Sequence, residues 1–306
     1  MKDKFYSFNQ YLRSIFKERV HRISIDAGFS CPNRDGRLSD KGCTYCNNKG
    51  FGVFVGEDKS IEEQIKTSIE FYEKKLKVKK FIAYFQSFTN TYAGLEELEK
   101  KYSIIKEFPQ VVGLFISTRP DCIDKEKLKL ISSYKKDYLV WIEYGLQTTH
   151  NHLLKEINRN HTYEDFLSAL ELTKKFEINV GVHIILGLPS ATYEDMIEDA
   201  RKISQLALNG IKFHVLHILR DTLLEKLYQK KKVNLFQEKD YIKIICDFLE
   251  IVPPNLVVLR LVSSAHPSYL VAPMWINKRN EIIEKIRKEL ENRNTYQGYF
   301  YEGSVN

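Results

Sequence analysis

Membrane-spanning runs are missing from this sequence. No apolar stretch in its 306 residues approaches the ~18 needed to cross a bilayer, so no membrane partner is expected. The first twenty residues, Met1 to Val20, carry charges throughout and hold no apolar stretch of the signal-peptide kind, so a cytoplasmic location is expected. Fourteen Gly and eight Pro are too few for a linker-rich or collagen-like chain. No Gly-x-Gly-x-x-Gly follows the first expected strand, and no Gly-Lys-Ser/Thr loop occurs. The dinucleotide-fold and P-loop readings lose their main support. Low-complexity segments and short repeats are absent as well. What remains is an ordinary globular composition, 43% hydrophobic and 28% charged. Lys plus Arg total 47 against 40 Asp plus Glu, a net charge of +7. That mild excess suits a solvated surface or a polyanion site. Lys74, Lys75, Lys77, Lys79 and Lys80 cluster, as do Lys230 to Lys232; either group touches phosphates or merely decorates helix ends.

Cysteine is also scarce. Five residues, an odd number, argue against a disulfide framework. Cys122 and Cys246 stand alone and read as small buried hydrophobes. The other three fall together: Cys31, eleven intervening residues, Cys43, two more, Cys46. The Cys43–Cys46 spacing lets two sulfurs face one centre. The turn-rich Pro-Asn-Arg-Asp-Gly segment after Cys31 loops that residue back beside the pair. Four thiolates would close a structural zinc or a complete iron–sulfur cage, whereas three leave one position open for chemistry. A structural zinc with His21 or a more distant His as fourth ligand remains the alternative.

Apolar spacing predicts strands at Arg22–Ala27, Phe81–Phe85, Val111–Ile116, Tyr138–Leu146, Val180–Leu186 and Ile211–Leu219, with a further one at Val257–Val262. Helical spacing falls between them, for example Ile61, Ile65, Ile69, Tyr72 and Leu76, or Met196, Ile197, Ala200 and Ile203. Strict strand–helix alternation means an α/β fold with a parallel sheet. The rhythm weakens after about residue 220, so the division expected is an N-terminal segment 1–20, a core barrel 21–220, and an extension 221–306 that caps the barrel. Polar residues gather at the strand ends: Gln86 with Ser87, Ser117 to Arg119, Glu143 with Gln147, His183 to Pro189, His214 and His217. In a βα barrel that end is the functional mouth.

With these residues in view, the sequence resembles the radical S-adenosylmethionine (SAM) superfamily, its elongator-like branch, and most closely the YhcC/YtqA family, associated with tRNA modification. The stretches that carry the resemblance are Cys31-Pro-Asn-Arg-Asp-Gly with Gly42-Cys43-Thr44-Tyr45-Cys46-Asn47; Tyr84-Phe85-Gln86 with Thr89-Asn90-Thr91-Tyr92; Ser117-Thr118-Arg119-Pro120-Asp121-Cys122; Glu143-Tyr144-Gly145-Leu146-Gln147; Asn158-Arg159-Asn160-His161-Thr162; His183 to Pro189; and Ala272-Pro273-Met274-Trp275 with Asn277-Lys278. The eleven-residue gap departs from the superfamily's common three-residue gap but matches this branch.

The resemblance implies a partial (β/α)6 TIM-type barrel with a C-terminal α/β extension. It implies a [4Fe–4S] cluster held by Cys31, Cys43 and Cys46, its fourth iron taking the amino and carboxylate groups of SAM. One electron, from a donor such as flavodoxin or ferredoxin, would then yield methionine and a 5′-deoxyadenosyl radical. Among residues matched to the family's cofactor contacts, Glu143, Gln147 and Arg159 correspond to the polar set around SAM's ribose and methionine groups. Gly187 and Leu188 form the turn near adenine, Gln86 and Ser87 stand where relatives hold the amino group, and Arg119 faces the cluster or the cofactor carboxylate unless it is a structural ion pair. His183, His214 and His217 carry no assigned role. The exposed-looking aromatic tail, Tyr296, Tyr299, Phe300 and Tyr301, would stack on nucleobases or dock on the barrel. For substrate the resemblance points to tRNA, with a wobble-uridine side chain converted from carboxymethylaminomethyl to aminomethyl. The alternatives are radical modification of another RNA position or a small metabolite, and a zinc-containing binding protein without catalysis.

Overall fold

The computed structural model describes residues 3–47 and 59–303; the outermost residues of the expected end segments, 1–2 and 304–306, lie outside it. A first helix, α1 (Phe8–Phe16), leads into an alternation of β1 (Val20–Ile25), α2 (Ile61–Leu76), β2 (Lys80–Phe85), α3 (Leu95–Ser103), β3 (Val111–Thr118), α4 (Lys125–Ser133) and β4 (Leu139–Gln147). Then come α5 (Asn151–Glu156), α6 (Tyr163–Lys174), β5 (Asn179–Leu186), α7 (Tyr193–Ser204), β6 (Gly210–Val215) and β7 (Ile218–Leu219). The last third supplies α8 (Leu223–Gln229), α9 (Glu238–Ile251), β8 (Val257–Arg260), β9 (Leu270–Ala272) and α10 (Arg279–Asn292). Helix starts are set locally. Ser60 with Glu63, Thr162 with Asp165 and Thr192 with Asp195 form reciprocal capping boxes at α2, α6 and α7, each worth about 1 kcal/mol.

Seven strands pair in parallel in the order β1-β2-β3-β4-β5-β6-β8. The sheet is the curled half-barrel expected, extended by one strand from the last third of the chain. Among the described residues β1 and β8 do not pair with each other, so the barrel is open along one seam. The N-terminal segment straps the β8 side of that seam: Val258 N–H donates to Tyr6 O at 2.8 Å, and Ser7 bridges to Val258.

The expected Ile211–Leu219 strand is broken. β6 ends at Val215, where Ser263 Oγ lies 3.2 Å from both the N and the O of Val215. The chain turns there, and β7 pairs antiparallel with β9 instead. Ser263 takes the backbone groups that a continuing strand would have offered to its neighbour.

Inside the barrel, side chains stack in layers because alternate strand residues face inward. The floor is apolar: Leu12, Val20, Ile82, Phe115, Trp141, Val257 and Leu259. Trp141 stacks on Phe115 at 5.5 Å and meets Tyr11 of α1 edge-on at 5.4 Å. Two glycines make room in this layer. A Cβ at Gly210 would lie 2.8 Å from the Trp141 ring, and one at Gly181 would lie 2.8 Å from Leu259. The outer core, between sheet and helices, is a continuous apolar cluster that includes Phe81, Tyr102, Phe166, Phe213 and Phe248.

Candidate active site

The three spaced cysteines lie on a loop directly after β1. Its tight turns are visible in the hydrogen bonds: Arg34 N–H donates to Cys31 O at 2.8 Å, Gly42 N–H to Asn33 O at 2.7 Å, and Cys46 N–H to Cys43 O at 3.1 Å. Cys31 and Cys43 are buried and Cys46 is half-buried; none forms a disulfide. An asparagine clasp fixes the loop from the side. Asn33 Nδ2 donates to Asn158 O at 2.6 Å and lies 3.4 Å from Cys43 Sγ. Asn158 Nδ2 donates to Gly42 O at 2.6 Å, and Asn160 Nδ2 to Asn33 Oδ1 at 2.5 Å. Asn158 and Asn160 both hold φ of 54°, a left-handed conformation that asparagine tolerates better than most residues. The sequence motif around Arg159 is thus half clasp and half charge.

That charge is Arg159. Its Nη1 lies 3.8 Å from Cys43 Sγ, its Nη2 donates to Gly145 O at 2.8 Å, and its Nε donates to His161 Nε2 at 3.0 Å. Gly145 is needed here, because a Cβ would sit 2.6 Å from Nη2. Burial, joined by Arg159 and Arg119, pushes His161 down to about 3, so its ring is a neutral acceptor. Arg159 is buried and pairs with no carboxylate among the described residues; Tyr45, Cys43 and Cys31 are the groups that favour its charge. A second guanidinium, Arg34, donates to Cys46 O at 2.6 Å. Burial raises Cys46, while Arg34 works against it.

Several of the other expected residues gather at the same place. Ser87 is buried in a loop after β2 that is tied back by Asn90 Nδ2 to Ser87 O and Ser117 O, and by Thr89 N–H to Ser30 O, just ahead of Cys31. Arg119 pairs in bidentate fashion with Asp121 at 2.8 and 2.7 Å, and its Nη2 also reaches Asn160 O. Among the described residues, Ser87 Oγ, Asn90 Oδ1, Asn47 Oδ1 and Arg119 Nη1 are buried without a hydrogen-bond partner. Gln147 ends β4 at φ 78°, where the register with β5 shifts. Strain of this kind is characteristic of functional sites. Gln86 and Gln147 line a chamber that opens beside Tyr45 and Cys46. Leu188 packs in an apolar cluster against which Tyr45 also rests. Gly187 turns at φ 83°, and the space a Cβ would occupy lies 2.7 Å from the Phe236 ring.

This donor set fits a [4Fe–4S] cluster with SAM. Three thiols share one loop, two guanidiniums are aimed at it, and buried polar atoms await partners around it. No three His, Cys, Asp or Glu side chains among the described residues stand close enough to hold a single metal ion; a cluster of several irons holds its thiolates farther apart. His21 is not a fourth ligand. It sits near the start of β1, whereas Cys31 follows that strand's other end, and its ring packs 3.9 Å from Tyr72. Cys122 is pushed up to about 12 by burial and Asp121, so it remains a thiol.

Glu143 stands on β4, four residues before Gln147. It lies one layer above the apolar floor, fully buried, at the centre of a network that sequence reasoning did not find. Its Oε1 pairs with Arg22 at 3.1 Å. Its Oε2 accepts from Tyr84 OH at 2.8 Å, His183 Nε2 at 2.7 Å and Lys212 Nζ at 2.7 Å. Lys212 also reaches Tyr84 OH at 2.5 Å. Burial alone would raise the Glu143 carboxyl; Lys212, His183 and Arg22 together hold it well below the carboxylate range. Burial lowers Lys212 well below an ordinary ammonium, against the pull of Glu143. His183 is pushed down to about 3, first by burial and then by Lys212, and donates as a neutral ring. The one signal in the sequence was a lysine inside the apolar run Ile211-Lys212-Phe213.

A chamber of about 1120 Å³ is lined by Cys46, His183, Lys212, His217, Arg260 and the face of α10, and reaches along the seam to Val20 and Leu259 of the floor. His214 stands on its wall with Arg260 Nη2 2.7 Å from its ring nitrogens. At the far end of the chain, Tyr296, Tyr299 and Phe300 are exposed and contact one another edge-on.

Comparison with known proteins agrees with this geometry. Residues 34–203 match the Radical SAM superfamily and residues 208–292 the Radical_SAM C-terminal domain. The chain is 37% identical to the protein YtqA of Bacillus subtilis over 301 residues, covering 98% of this chain and 93% of that one. It is 28% identical over 200 residues to a tRNA uridine(34) acetyltransferase of Methanocaldococcus jannaschii, covering 63% of this chain and 35% of that one. In fold it is similar to the archaeal Elp3 of Methanocaldococcus infernus, with a TM-score of 0.69 at 19% identity over 91% of this chain and 64% of that one. No helix among the described residues is long and apolar enough to cross a membrane. Matched to the family model over more than half its length and to YtqA over nearly all of it, the chain belongs to the radical SAM superfamily, which implies an enzyme working with SAM and a [4Fe–4S] cluster.

Proposed function

We propose that the chain is a tRNA-modifying radical SAM enzyme that acts on a wobble-uridine side chain, taking carboxymethylaminomethyl to aminomethyl. The observation that carries the cofactor half is Arg159, a buried guanidinium that pairs with no carboxylate among the described residues and lies 3.8 Å from Cys43 Sγ. A cation in that position favours a thiolate over a thiol, and thiolates are the form that binds iron. The substrate half is supported by the basic chamber beside the cysteine loop and by the similarity to a protein named for uridine 34 of tRNA.

When bound, the cluster and SAM supply a carbon-centred radical able to break an unactivated C–H bond next to an amine. The residues of this chain do the rest. Cys31, Cys43 and Cys46 hold the cluster, and Arg159 and Arg34 balance its sulfur charge. Ser87 Oγ and Arg119 Nη1, with Gln86 and Gln147, bind polar groups of SAM; the Gly187–Leu188 turn and Tyr45 wall its apolar side. Glu143 works one layer below, fixing Lys212, whose Nζ shares its proton with Glu143 and Tyr84 at the bottom of the chamber. A one-electron donor of flavodoxin or ferredoxin type delivers the electron.

Two measurements test the reading. Anaerobically purified protein should be brown and, once reduced, release 5′-deoxyadenosine from SAM; Cys31→Ala, Cys43→Ala or Cys46→Ala should abolish both, and Cys122→Ala and Cys246→Ala should abolish neither. Incubation with tRNA bearing carboxymethylaminomethyluridine should convert it to aminomethyluridine by nucleoside mass spectrometry. A colourless protein holding only zinc sinks the first half; tRNA left unchanged by an enzyme that does release 5′-deoxyadenosine sinks the second.

A further inference from the structure

Charge inside the barrel does not balance. No Asp or Glu lines the chamber among the described residues, whereas Arg19, Arg22, Lys212, Arg260, Arg279 and Arg287 all do. Glu143 lies just beneath, and both its oxygens are already taken, one by Arg22 and the other by Lys212, His183 and Tyr84. It offsets roughly one of those cations.

Arg260, the last residue of β8, is the clearest excess. Its Nη2 is spent on His214, a neutral partner, and its Nε is buried without one. Arg279 opens α10 and presents the chamber with the same helix face as Ile283, four residues on. Neither arginine pairs with a carboxylate among the described residues. Burial and the nearness of Arg22 push Arg260 down to about 10, and the same two causes lower Arg279. Half-buried Arg22 and Arg260 and exposed Arg279 thus face one open space with Glu143 as their one carboxylate among the described residues, an arrangement that favours an anion between them. Arg287, on the same face of α10, does not belong with them: Asp3 and Glu284 already neutralise it.

We propose that Arg260 and Arg279, backed by Arg22, form a subsite at the open seam of the barrel for one oxyanion group of the substrate, a carboxylate or a phosphate. The planar fork of a guanidinium matches both in bidentate fashion. The subsite lies in the chamber that begins at Cys46, so an anion seated there anchors one end of a molecule whose other end faces the cysteine loop. This deepens the reading of the chamber as the substrate's room and rests on it.

The test is equilibrium binding to the anaerobically reconstituted full chain with three probes: uridine, uridine 5′-monophosphate, and the nucleoside 5-carboxymethylaminomethyluridine. At least one anionic probe should bind about tenfold or more tighter than uridine. Most of that advantage, about tenfold, should be lost in Arg260→Gln and in Arg279→Gln, while uridine binding stays as in the parent. A preference for the carboxylate probe assigns the subsite to the base side chain, and a preference for the monophosphate assigns it to the sugar–phosphate backbone. Equal binding of all three probes, or an undiminished advantage in both variants, overturns the proposal. Iron–sulfur absorbance and the unfolding midpoint report the fold of each variant; if Arg260→Gln does not fold, Arg279→Gln, at the rim, decides. Failure of the wobble-uridine reading shows separately, as tRNA left unconverted by a protein that keeps its anion preference.

Discussion

Neutralising Glu143 is the sharpest test of the barrel interior. In Glu143→Gln, Arg22 and Lys212 lose the carboxylate they share, with contacts of 3.1 and 2.7 Å. Breaking one side of a buried pair costs ~3–5 kcal/mol, because the opposite charge stays behind unmatched. Lys212 can escape part of that cost by releasing its proton, since burial already holds it well below its usual range. A guanidinium has no such escape. The expected loss is therefore about 3 kcal/mol, the low end of the range. Lys212→Met leaves Glu143 with Arg22, His183 and Tyr84 and should cost about 2 kcal/mol. In the double variant each change removes what the other strands, so its loss should fall short of the sum by ~1–2 kcal/mol. Urea unfolding followed by tryptophan fluorescence reads this well, because Trp141 lies in the layer directly beneath. Strict additivity to within ~0.5 kcal/mol, or a Glu143→Gln loss below ~1 kcal/mol, would refute the account of a coupled buried network.

Acid should destabilise the chain through its neutral histidines. His161 and His183 are both pushed down to about 3, below the ~6.5 of an unfolded histidine. The unfolded chain therefore binds protons first, and stability falls as pH drops from ~6.5 toward the folded values. Two such groups contribute a slope of roughly 2–3 kcal/mol per pH unit between about pH 5.5 and 4.5. Urea midpoints in that window should show His161→Gln removing about half of this share; an unchanged slope contradicts the assignment. Gly145→Ala places a Cβ 2.6 Å from Arg159 Nη2 and 2.8 Å from Gln147 Nε2, so iron content after anaerobic purification should drop. Gly210→Ala overpacks Trp141 instead, costing ~1–3 kcal/mol by denaturant titration with iron retained. Equal iron loss in both variants would mean that Arg159 has no special hold on the cysteine loop.

Much of this architecture could be read from the chain because its signals are local. Apolar residues at helical spacing marked α2 and α7, and Cys43-Thr44-Tyr45-Cys46 announced its chemistry in four residues. Arg159 and the cysteines were expected at one site, and they meet there. The break between β6 and β7 was invisible because Leu216 is as apolar as its neighbours; what ends the strand is Ser263, 48 residues later. Glu143 was expected beside the cofactor; what the sequence hid is the buried network that holds it, whose members are 121, 59, 40 and 69 residues away. Nothing in a sequence distinguishes such a carboxylate from one that faces solvent. Arg260 went unnoticed for the same reason: an arginine closing an apolar strand looks like an ordinary surface end until the wall opposite proves to be arginine too.

The strap formed by Tyr6 and Ser7 has a consequence for how copies of the protein behave toward one another. Val257, Val258 and Leu259 are buried, and Val258 gives its amide to Tyr6. Peeled away, the strap would leave an outermost apolar strand with unclaimed amides, the arrangement by which strands recruit strangers into growing ribbons. Two residues just ahead of the first helix thus cover an edge that other copies could otherwise extend.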